Sequence, residues 1–144
     1  MNRYAFLLIL AATCGYALWR GDRDSRAVAL ISLAATLLTH VAIGPLAGRY
    51  TRVESGVLLV DLATLGGFVA VALWSDRFWP LWVAGLQLTT ELAHAMRAIS
   101  QDIVPEAYAA AGRIWSYPIL LILAVGSWRS YRRRLAREAG PNPA

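Results

Sequence analysis

The chain has 144 residues, 58% of them hydrophobic and only 16% charged, with a formal net charge of +5. That length allows one domain, and that composition is too apolar for an ordinary water-soluble fold. A basic chain suggests nucleic acid as a partner, but the excess charge sits in Arg129, Arg132, Arg133, Arg134 and Arg137, directly after an apolar run. This placement reads as a topology anchor and a contact with an anionic lipid surface, so no nucleic-acid partner is expected.

All fourteen basic residues are Arg. Cys14 stands alone in an apolar segment, which excludes an internal disulfide and CxxC chemistry and makes it a small buried side chain. No apolar run alternates as a barrel strand would. The expected fold is therefore all-α, a polytopic transmembrane helix bundle of five spans forming a single domain over 1–138.

The first span covers 4–19 and ends in the charged turn from Arg20 to Arg26. Arg3 before an apolar stretch would also suit a signal peptide, but no small-x-small cleavage site follows and Thr13 before Cys14 does not fit a lipoprotein signal, so a retained span is expected. The second span, 27–47, repeats Ser32, Thr36, His40 and Gly44 at four-residue intervals, a small and polar seam for helix contact. The third, 56–74, holds Asp61, Thr64 and the pair Gly66-Gly67, with Gly66 and Ala70 as a small-xxx-small packing pair. Ser75-Asp76-Arg77 is a tight turn into the fourth, 80–99, where Pro80 suits a first helical turn. The fifth, 107–128, lies in a helix expected to run from Pro105 to about Arg134 with a kink near Pro118, and 139–144 form a disordered tail.

Five spans place the termini on opposite sides of the membrane. With the C-terminus cytoplasmic, Arg20, Arg23, Arg26, Arg77 and the five tail arginines lie inside, against Arg3, Arg49, Arg52, Arg97 and Arg113 outside. The positive-inside rule then gives an N-out, C-in protein of a bacterial inner membrane, with Trp19, Trp74, Trp79, Trp82 and Trp128 near the cytoplasmic interface. Asp22 and Asp76, Arg23 and Arg77, Thr36 and Thr90, and His40 and His94 share a single sequence offset, as two duplicated helical hairpins would.

The fourth span places Gln87, Thr90, Glu91 and His94 on one helical face. Counting about 1.5 Å per residue, His40, Asp61 and His94 fall roughly 8–10 Å below the outer boundary, with Glu91 one turn deeper and Arg113 within reach of that layer. Ionisable residues in lipid face protein or water, so these seven form a candidate polar cluster.

Three roles compete for the cluster. It can be a structural network that orders the bundle of a non-enzymatic accessory or interaction protein, with no cofactor. It can be a haem b or divalent-metal site built on His40 and His94, with Glu91 and Asp61 as further ligands. It can relay protons or pass a small solute in an oligomer. The first is the leading expectation, with the bilayer, and itself or another membrane protein, as partners. No catalytic residues are assigned, because no nucleophile lies at a recognisable spacing from a base and no Walker or Rossmann pattern is present. The segments WPLWVAGLQLTTELAHAMRAI and PEAYAAAGRIWSYPILLILAVGSWR resemble small, uncharacterised multi-span membrane proteins of alphaproteobacteria. The resemblance covers roughly the C-terminal half and implies an inner-membrane location but no activity.

Overall fold

The computed structural model describes residues 3–43, 53–99 and 114–140. They form five helices, α1 (Arg3–Arg20), α2 (Arg23–Ile43), α3 (Val53–Trp74), α4 (Trp79–Ile99) and α5 (Ser116–Glu138), with no strand among the described residues. Consecutive helices are neighbours from α1 to α4, and α5 closes the bundle against α4 and α1 while touching α2. Hydrogen bonds tie both described turns to the C-terminal half of α5. One end of the bundle therefore holds the end of α1, the start of α2, the end of α3 and the start of α4.

Local chemistry sets the helix ends where hydropathy does not. The carboxylate of Asp22 caps α2: Oδ1 accepts the Ser25 N–H at 3.0 Å and the Ser25 hydroxyl at 2.7 Å. The Asp22 carbonyl accepts the Arg26 N–H at 3.0 Å. This cap starts the helix at Arg23, so the charged residues before position 27 belong to its first turn rather than to the preceding loop. Gly21 makes the turn possible. Its N–H bonds the Ala17 carbonyl at 2.9 Å, and a Cβ there would strike that same carbonyl and approach Ser25 Cβ to 2.7 Å.

The last helix differs most from expectation. Its first turn starts at Ser116, and Pro118 supplies the reason: without an N–H it cannot donate to the Ile114 carbonyl, so regular hydrogen bonding is interrupted at Trp115. At the other end α5 runs to Glu138, about one turn beyond the expected end near Arg134. There Ala139 donates to Leu135 at 3.0 Å and Gly140 to Arg137 at 3.4 Å, with Gly140 in the left-handed region at φ +69°. Ala139 and Gly140 thus close the helix; positions 141–144 of the expected tail lie outside the described residues, as do Gly44, Pro45 and Pro105.

The core packs larger side chains such as Phe68, Val83, Ile119 and Leu123 together with the small ones of Cys14, Ala17, Ala29 and Ala84. The small residues let helix backbones approach closely. At Gly126 a Cβ would meet the Trp79 ring at 3.1 Å, and at Gly67 it would meet Ile31 Cδ1 at 3.1 Å. Gly66 opens onto empty space, so the close contact between α2 and α3 belongs to Gly67 rather than to the Gly66–Ala70 pair.

The outer surface carries many large apolar side chains. Leu8, Leu37, Leu59, Leu92 and Leu121, one from each helix, are 60–71% exposed. Among the described residues one segment, Gly56–Trp74 of α3, is long and apolar enough to cross a membrane, with a mean hydropathy of 2.1 and 11% of it buried.

Candidate functional site

The polar stripe of α4 turns inward. Gln87, Thr90 and Glu91 are each at most 9% exposed, while Leu88 and Leu92 between and beside them are on the surface. On the adjacent α3, Thr64 is buried with its hydroxyl donating to the Val60 carbonyl at 2.7 Å, and Asp61 is half-buried. His40 lies elsewhere, exposed on α2 with Nδ1 2.8 Å from the Thr36 carbonyl. A carbonyl only accepts, so Nδ1 carries the hydrogen of that bond. His94 is on α4 with its side chain outside the described set, and Arg113 is outside it altogether. No three His, Cys, Asp or Glu side chains converge among the described residues. The seam on α2 is turned on itself: Ser32 donates to Val28 and Thr36 to Ser32, both at 2.9 Å, so these hydroxyls satisfy their own helix instead of reaching a neighbour.

A second polar constellation lies at the turn end. Asp22 Oδ2 pairs with Arg77 Nη1 at 2.7 Å, joining the α1–α2 turn to the α3–α4 turn. The same guanidinium donates to the Ser130 hydroxyl of α5. That hydroxyl has one proton for two acceptors, the Gly126 carbonyl at 2.8 Å and Asp22 Oδ2 at 3.2 Å. Ser75 completes the lock by donating to Asp24 at 2.6 Å and accepting the Arg77 N–H at 3.1 Å. The ion pair takes one partner from each of the corresponding turns. Their sequence counterparts, Asp76 and Arg23, are exposed.

Partial burial raises the carboxyl pKa of Asp22, but its hydrogen bonds from Ser25, the Arg77 guanidinium and the Ser130 contact outweigh that and hold it below the usual carboxylate range. Beside it, Arg20 Nη1 donates to the Tyr131 hydroxyl at 2.8 Å, and its guanidinium carbon stands 4.2 Å from the centroid of the Trp19 ring and 4.6 Å from that of Tyr131. Two aromatic rings thereby fix the orientation of a cation.

These groups border a pocket of about 200 Å³ lined by Arg20, Asp22, Arg77, Ser130, Arg133, Arg134 and Arg137. Trp19, Trp74, Phe78, Trp82 and Trp128 are all more than half exposed around this end. The tail arginines therefore divide: Arg133, Arg134 and Arg137 share a helical face with Ser130 and line the pocket, whereas Arg129 and Arg132 do not. Their i, i+3, i+4, i+7 spacing from Ser130 was readable in the sequence. The meeting of Arg20, Asp22 and Arg77 from separate turns was not.

Searches against protein-family models, curated proteins and solved structures find no match to this chain.

Proposed function

We propose that the chain is an integral protein of a bacterial inner membrane, a five-span bundle with a non-enzymatic accessory or interaction role, whose arginine-lined end sits at the cytoplasmic interface. The observation that carries this reading is the apolar girdle contributed by all five helices and bordered at one end by exposed tryptophans. Each large apolar side chain left in water forgoes roughly 1.5–3 kcal/mol of burial, so a surface with this many is unfavourable in water and natural in lipid. Indole rings favour the headgroup level, and arginines beyond them favour the cytoplasmic side. The inward-facing Gln87, Thr90 and Glu91 fit a polar interior that fixes how the helices register, which apolar packing in lipid specifies weakly.

The test combines extraction with labelling. Protein expressed in bacteria should stay with the membrane after an alkaline carbonate wash, and an Arg137→Cys variant in a Cys14→Ser background should react with an impermeant maleimide in inside-out vesicles only. Release by carbonate would overturn the membrane reading. Reaction in right-side-out vesicles would overturn the orientation alone.

A further inference from the structure

The pocket at the turn end has no role in holding the bundle together that would require so many cations. Five guanidinium groups line it against a single carboxylate, and that carboxylate is engaged by Arg77, Ser25 and Ser130. On α5, Arg133 and Arg137 stand four residues apart on one face with Arg134 beside them. Like charges at that spacing destabilise a helix, and a bound anion would relieve the repulsion. Arg20 is held between two rings with one amino group committed to Tyr131, so its other N–H donors are positioned in advance. We infer that this pocket binds a phosphate ester, the chemistry shared by an anionic phospholipid headgroup and a small soluble phosphomonoester.

Three features select that ligand class. Guanidinium forks grip tetrahedral oxyanions through paired N–H donors, and every basic residue here is Arg. The excess of positive charge suits a group that carries more than one negative charge, as a phosphomonoester does near neutral pH. The volume, about 200 Å³, is below the roughly 300–1,000 Å³ of sites that enclose a drug-sized ligand, so the pocket takes a headgroup rather than a large cofactor. Trp19, stacked on Arg20 and 71% exposed, puts the pocket rim at the level where lipid phosphates lie if the membrane reading holds. The lipid source rests on that reading; the anion chemistry does not.

The test uses the full-length protein in nanodiscs and reads thermal unfolding. The first arm compares discs of phosphatidylcholine alone with discs containing phosphatidic acid. The second adds glycerol 3-phosphate or phosphoserine, both soluble phosphomonoesters, to phosphatidylcholine discs. Arg133→Gln with Arg137→Gln removes two pocket charges from exposed positions, so the fold should survive, as circular dichroism would check. Arg129→Gln with Arg132→Gln removes two charges from the same helix outside the pocket. A rise in melting temperature with phosphatidic acid only identifies a lipid headgroup, and a rise with the soluble phosphates identifies a free phosphomonoester. In either case the apparent affinity should fall at least tenfold in the pocket variant and less than threefold in the control. Equal losses in the two variants, meaning diffuse charge attraction, would overturn the inference, and so would the absence of any rise in both arms. Loss of the lipid arm alone, in protein that carbonate also releases, would count against the membrane reading and leave the anion site standing on the soluble arm.

Discussion

Asp22 does three things at once. Oδ1 caps α2 through Ser25, Oδ2 pairs with Arg77, and the same oxygen meets Ser130 of α5. Because these partners prefer the ionised form, the folded protein holds the carboxyl below its unfolded value of about 3.9. The stabilisation is therefore complete above that value and is lost as pH falls through the lower folded one. Asp22→Asn keeps a capping oxygen but removes the charge. It should lower stability at pH 7 by about 0.2–1 kcal/mol, the range for a partly exposed pair, and the difference from the native protein should begin to narrow below about pH 4 and close only as pH passes the lower folded value. Thermal unfolding in detergent from pH 7 to pH 3 checks this, and a gap that does not narrow with acidification would sink it. The capping role was not legible in the sequence, where Asp22 falls inside a charged stretch that reads as a turn and the apolar period begins only at Ala27. Nor was the ion pair, because Arg77 is remote in sequence and no local pattern marks it as the partner.

The helices follow from apolar runs punctuated by charged turns, but their packing depends on which small residue faces which neighbour. Gly126 lies under the Trp79 ring and Gly67 against Ile31, whereas Gly66 and Gly85 face open space. Gly126→Leu should force α5 away from α4 and destabilise the bundle by about 1–3 kcal/mol, with altered Trp79 fluorescence. Gly66→Leu should be tolerated. Comparable losses in both variants would mean that helix propensity or lipid contact, rather than this crossing, decides the outcome. A small-xxx-small spacing identifies candidate faces and cannot choose among them, because an added Cβ matters only where another helix already stands. The same limit applied to α5: its apolar stretch ends near Trp128, yet Arg-rich residues extend the helix to Glu138 because they are good helix formers in water or at an interface.

At the scale of the whole molecule, the arrangement of five helices that all expose large apolar side chains needs something besides apolar burial to fix it. Glu91, a carboxyl only 8% exposed, is the strongest candidate in the interior. Glu91→Ala should lower thermal stability in detergent by about 2 kcal/mol or more, through a cavity and the loss of its polar contact. Replacement of the exposed Leu92 by Ala should not. Unchanged stability in Glu91→Ala would remove the structural role from the α4 stripe and leave the turn-end lock as the ordering element.

Sequence alone determined the helical class, the two charged turns, the inward polar stripe of α4 and the basic C-terminal segment, because each depends on composition or on a 3.6-residue period within one element. Tertiary structure decided that Asp22, Arg77, Ser130 and Arg20 meet at one end and that His40 is exposed, bonded to its own helix, while the α4 stripe is buried. Those meetings depend on the rotation of each helix about its axis and on its neighbours. These are set by contacts between residues far apart in the chain, where Gly126 and Gly67 permit close approach and other positions do not.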